Sequence, residues 1–141
     1  MADLLTETIY AEGHENVSGE HTSTLEVTSD DFLTPAGDCI VGIEADTVPA
    51  DFDEAFVTAC QDEEATISIV LEADGREERI EARGDPELNF ESDRSAVIRT
   101  SEYVDERTVA IGADTAAGDV DRLLVDALAE GARLTVELSV D

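Results

Sequence analysis

Few side chains of this 141-residue chain are both rare and reactive: the two histidines, His14 and His21, and the two cysteines, Cys39 and Cys60. Both histidines and Cys39 fall within one stretch, Gly13–Asp46. Two imidazoles, a thiol and the carboxylate of Asp38 are a donor set that suits a tetrahedral metal such as zinc. The same Cys39 beside His14 or His21 would serve as an activated nucleophile, because thiolate character needs a neighbouring base or cation. A third chemistry needs no reaction: the Gly37 loop offers backbone N–H groups, and His14, Asn16, Thr22 and Thr24 offer side-chain contacts, to a small ligand or a phosphate. The spacing matches no known ligand signature, so all three stand beside a bland reading in which the histidines are exposed and Cys39 packs as a small hydrophobe.

Other chemistries lack their parts. The sequence has no phosphate-binding P-loop, no dinucleotide fingerprint, no serine nucleophile elbow and no HExxH pair. Tryptophan is absent and aromatics make up 4% of residues, which supplies a base-stacking platform poorly. Six of the eight arginines lie between Arg76 and Arg107, a region able to touch an anion, but nucleic acid is not the expected partner. Zinc is the one cofactor the residues suggest.

The elements that must hold these groups follow from periodicity. Thr6–Glu12 and Ser23–Thr28 alternate as strands, and Cys39–Ala45 reads as a mostly buried third strand after the Thr34–Gly37 turn. From Asp51 the period changes to 3.6, with Phe52, Ala55, Phe56, Ala59 and Cys60 on one stripe, Asp51 as N-cap and Glu54 completing a variant capping box. Thr66–Leu71 is a fourth strand, and Asp74-Gly75 predicts a tight hairpin into Arg76–Arg83.

The pattern then recurs. Ile9–Gly13 falls on Ile80–Gly84, Thr24–Val27 on Ser95–Ile98 and Phe32-Leu33 on Tyr103-Val104, all 71 positions on. After a three-residue deletion, Val41–Thr47 falls on Val109–Thr115. The helical stripe returns as Val120, Leu123, Leu124, Ala127 and Leu128, capped by Asp119 and stopped by Gly131, and Leu134–Val140 closes the second copy. The expectation is a single domain over 1–141, mainly β with two short helices, in which a β-β-β-α-β unit occupies about 5–73 and again about 76–141. It closes as a barrel or splits as a sandwich around a pseudo-twofold axis. Duplication supplies an internal control: His14 stands against Asp85, Asn16 against Glu87, His21 against Ser92, Thr22 against Asp93 and Cys39 against Arg107. Cys60 stands against Leu128 on the buried stripe and is no candidate.

Composition describes the surroundings. The net charge of -28 comes from 36 acidic residues against eight arginines, with no lysine, and the acids are spread through every element. Such a surface fits molar salt, where the Debye length shrinks to about 3 Å and self-repulsion is screened. A halophilic source is expected, and the acidity then says nothing about ligands. The first ten residues have no basic leader or long apolar run, and two distant cysteines fit a reducing compartment, so a cytoplasmic protein without a membrane partner is expected.

The strings GHENV, HTSTLEVT and LTPAGDCIVGI, with the later GDPEL, resemble an archaeal family, domain of unknown function 371, over nearly the whole chain. The resemblance implies an archaeal source and a mainly β, sandwich-like fold, and it supplies no reaction. Its pattern includes His14, Asn16, His21, Gly37, Asp38 and Cys39. The expected role is a ligand- or partner-binding module using the His14, His21 and Cys39 face, with a metal-dependent or thiol enzyme, or a purely structural domain, as the alternatives.

Overall fold

The computed structural model describes residues 5–141. The expectations for a leaderless start and for the beginning of the domain fall partly on residues 1–4, outside the described residues. The chain is mainly β, with eight strands and two helices among the described residues: β1 (Leu5–Glu12), β2 (Thr24–Thr28), β3 (Ile40–Gly42), α1 (Glu54–Cys60), β4 (Thr66–Ala73), β5 (Arg76–Arg83), β6 (Ser95–Arg99), β7 (Thr108–Ala110), α2 (Arg122–Ala129) and β8 (Arg133–Val140). They form two four-stranded sheets, ordered β1-β8-β4-β5 and β3-β2-β6-β7. Neither sheet closes on itself, so the barrel is not formed.

The first sheet interleaves the two ends of the chain. β1 runs antiparallel to β8, β4 pairs β5 through the hairpin, and β4 and β8 pair at the centre. Asp74 and Gly75 both take positive φ, 53° and 77°, the geometry that matches a two-residue turn to strand twist. Alternation does the rest: Ile67, Ile69 and Leu71 of β4 and Leu134, Val136 and Leu138 of β8 are buried, while Ser68, Val70, Thr135 and Glu137 point the other way. In the second sheet β2 and β6 are antiparallel, and each has a short parallel neighbour in the same register: Glu26 opposite Ile40 and Val97 opposite Thr108. Buried residues of both sheets and both helices join one apolar cluster, with Phe52, Phe56 and Phe90 meeting at ring-centroid separations of 5.5–6.5 Å.

Two expectations about elements are corrected. The third strand is three residues long, Ile40–Gly42, because Ile43 leaves the second sheet to exchange hydrogen bonds with Glu12 of β1. The helices are shorter and start later. Asp51 and Asp119 cap short 3₁₀ turns, Pro49–Asp51 and Ala117–Asp119, accepting from Val48 N–H and Ala116 N–H. The helix N-caps are Asp53 and Asp121. Phe52 and Val120 therefore lie in extended backbone before the helices, the 3.6-residue phase begins after them, and Ala55 and Leu123 are exposed. Phe56 and Cys60, and Leu124 and Leu128, are buried as the stripe requires.

Candidate functional site

The candidate residues reside in the loops that lead into and out of β2. Gly13 ends β1 at a close approach: its N–H donates to Ala132 O, and a Cβ there would sit 2.1 Å from Leu128 O. The chain then turns, with Val17 N–H on His14 O at 2.9 Å, so His14 and Asn16 lie in a tight turn and not on one face of an extended segment. Asn16 N–H donates to His14 Nδ1 at 3.0 Å, and the Asn16 amide donates to Leu33 O at 2.8 Å. His14 thus ties the turn, and Asn16 ties that turn to the loop after β2.

His21 caps the entry to β2. Its Nδ1 accepts from Ser23 N–H at 3.2 Å and Thr24 N–H at 3.1 Å, with the Thr24 hydroxyl at 3.0 Å. Two backbone donors aimed at Nδ1 mean that this nitrogen carries no proton. The positions 71 residues later use other chemistry for the same kind of contact. Asp85 Oδ1 accepts from Glu87 N–H, and Ser92 Oγ accepts from Arg94 N–H and Ser95 N–H. Both histidines therefore perform the turn-capping work that Asp85 and Ser92 perform 71 residues later.

Cys39 and Asp38 arrive at β2 from the Gly37 loop. Asp38 O accepts from Glu20 and His21 N–H, Cys39 O accepts from Glu26 N–H, and Gly37 N–H is taken by Thr34 O. The half-buried Cys39 thiol donates to Glu26 Oε1 at 3.6 Å. Burial pushes this thiol up to about 11, the Glu26 charge adds to the effect, and the Thr24 hydroxyl opposes it. Arg107, the residue that the sequence comparison sets against Cys39, reaches the same Glu26 oxygen at 3.7 Å from across β6.

From Arg107 the network continues. Asp105 Oδ2 receives Arg107 Nη2 at 3.1 Å and Arg99 Nη2 at 3.0 Å, while Thr108 Oγ1 accepts from Arg99 Nε and lies 3.0 Å from Asp105 Oδ1. Arg99 also lies 4.8 Å from the centre of the Tyr103 ring. Partial burial would raise the Asp105 carboxyl, but donation from Arg107 and Thr108 and the Arg99 charge outweigh it and hold the group at about 2. His21, Thr24, Cys39, Glu26, Arg107, Asp105 and Arg99 therefore form one connected polar face on the second sheet. His14 and Asn16 are bonded elsewhere, and Thr22 is exposed.

Glu26, Asp105 and Arg99 were absent from the sequence candidates. The signal for Glu26 was present, since the second half carries Val97 at that position. Arg99 lay within the arginine-rich Arg76–Arg107 region without being distinguished from its neighbours, and Asp105 carried no signal, being one of 36 acidic residues. Among the described residues, no group of three or more His, Cys, Asp or Glu side chains is arranged to hold a metal ion. Cavities of about 610, 430, 310 and 250 Å³ are lined by residues of α1 or of the first sheet and its neighbouring loops, not by His14, His21 or Cys39.

Family comparison covers this whole arrangement. The family model described as a domain of unknown function, DUF371, matches residues 9–141. The chain belongs to the DUF371 family. An uncharacterised protein of Methanocaldococcus jannaschii, an archaeon, is 39% identical over 132 residues, covering 94% of this chain and 97% of its own length. The DUF371 match includes both histidines, both cysteines and the connected polar face. No helix among the described residues is long and apolar enough to cross a membrane.

Proposed function

We propose that this DUF371 protein is a non-catalytic binding module that engages a small ligand or a protein partner through the face where His21, Thr24, Asp38 and Cys39 meet Glu26 and Arg107. Thr22 and Gly37 adjoin that face, and His14 and Asn16 brace the loop beside it. The observation that carries the reading is the state of Cys39. A thiol that donates to a carboxylate and is held at about 11 is protonated at neutral pH, whereas a nucleophile must be a thiolate. His21 cannot take that proton at Nδ1, which is already occupied by Ser23 and Thr24.

Alkylation of Cys39 by iodoacetamide, followed on the modified peptide by mass spectrometry, tests this. Modification should be negligible at pH 7.5 and accelerate as pH climbs toward 11; rapid modification at pH 7.5 would overturn the proposal. So would a stoichiometric metal in the purified protein that disappears in a His21→Ala, Cys39→Ser variant.

We further infer that residues 1–141 form one domain built by duplication, about 5–73 and about 76–141, in a cytoplasmic protein of a halophile. The duplication is supported by hydrogen bonds that recur at matching positions. Asp46 Oδ1 takes Tyr10 N–H as Asp114 Oδ1 takes Glu81 N–H, and Glu7 accepts from Asp53 N–H as Glu78 accepts from Asp121 N–H. The halophilic reading is supported by the dispersed acidity and the absence of lysine.

A further inference from the structure

The outward face of the first sheet holds a second site, remote in the fold from the Cys39 face. A cavity of about 310 Å³ lies over β8, β4 and β5, lined by Thr66, Ser68, Val70, Arg79, Glu81, Glu137, Ser139 and Asp141. That volume lies at the small end of ligand pockets, about 300–1,000 Å³. Register fixes the arrangement. Ser68 and Ser139 are directly opposite each other on β4 and β8, and Val70 lies between Glu137 on one side and Arg79 on the other. A cation and an anion therefore flank one apolar side chain, with their backbones about 10 Å apart across three strands and two hydroxyls beside them.

Arg79 is the unusual member. Arg83, Arg94, Arg99, Arg107 and Arg133 each pair with a carboxylate, and Arg122 donates to the carbonyls of Ser18, Gly19, Ala117 and Val120. Arg76, beside the hairpin turn, also has no side-chain partner among the described residues, but it does not line the cavity. Arg79, on the open face of the sheet, has neither an ion pair nor a hydrogen bond among the described residues, although Glu77 and Glu81 are on its own strand and same face. A simple anion would meet the repulsion of Glu77, Glu81, Glu137 and Asp141. A simple cation would leave Arg79 without a counter-charge.

The geometry points to a zwitterion of the amino-acid class as the ligand of this cavity, its carboxylate on Arg79, its ammonium on Glu137 and its carbon skeleton over Val70. Arg79 presents a planar fork suited to a carboxylate, and Ser68 and Ser139 satisfy the remaining donors and acceptors. The site is independent of the binding face proposed above, so either can fail alone.

Amide chemical shifts of the full chain, titrated with L-alanine, L-glutamate and L-arginine, test it, with acetate and ethylammonium as half-probes. At least one amino acid should produce saturable shifts centred on Ser68, Val70, Glu137 and Ser139. Arg79→Gln and Glu137→Gln should each weaken that binding about tenfold or more, with the rest of the spectrum unchanged, and each half-probe should bind about tenfold or more weakly than the zwitterion. Absence of saturable shifts with all three amino acids, equal binding by a half-probe, or binding unaffected by both substitutions would overturn the assignment.

Discussion

Asp105 is the side chain on which the polar face of the second sheet turns. It receives both Arg99, which is nearly buried, and Arg107, and its carboxyl titrates near 2 in the folded protein. An unfolded aspartate titrates near 3.9. Because the folded value is depressed, the stabilisation is fully present above about pH 4 and is lost as pH falls toward 2. A shift of nearly two units corresponds to about 2–3 kcal/mol. Asp105→Asn should therefore lower the stability at pH 7 by about 2–3 kcal/mol, since it also leaves the nearly buried Arg99 without its carboxylate, while Arg107 keeps Glu26. Urea midpoints between pH 7 and pH 2 should fall less steeply for the variant than for the parent protein. Parallel pH profiles would show that Asp105 is not the linked group.

At the scale of elements, the two histidines change meaning. Sequence comparison of the halves singled them out as departures needing a functional account, because a histidine against an aspartate or a serine looks like new chemistry. The structure gives both the same task as their counterparts, accepting backbone N–H groups in a turn. Residue identity alone hid this, since imidazole Nδ1, a carboxylate oxygen and a hydroxyl are different groups with one shared ability. His21→Ser should leave stability within about 0.5 kcal/mol, whereas His21→Ala should lose about 1 kcal/mol, the usual cost of removing such a cap. Equal denaturation midpoints for the two variants would contradict the capping role. Strand positions were legible because alternation writes burial directly, as in Ile67, Ile69 and Leu71. The helix starts were not, because Phe52 and Val120 are apolar and spaced as if helical while lying in extended backbone ahead of the caps. Sheet order was also beyond reach: nothing local tells β1 that its partner is β8, some 130 residues away.

That exchange governs the molecule as a whole. Each edge strand of the first sheet is bonded to the last strand of the opposite half, β1 to β8 and β5 to β4, and the β4–β8 pair joins them. Neither half can leave without breaking strand pairing in the other, so unfolding should be a single cooperative event. Against this cohesion stands a net charge of -28 on 141 residues, with most of the few arginines already engaged in pairs. In dilute buffer the Debye length of about 30 Å at 0.01 M exceeds the spacing of surface carboxylates, so the repulsion sums over the whole surface; at 1 M, about 3 Å of screening leaves contact pairs and burial to decide. The thermal midpoint should rise steeply between dilute buffer and molar KCl while remaining one transition, coincident by circular dichroism and by calorimetry. A midpoint indifferent to salt would mean that the dispersed acidity does not strain this fold, and the halophilic reading would fall with it. Two separated transitions would instead show that the halves are held together less firmly than their exchanged strands require.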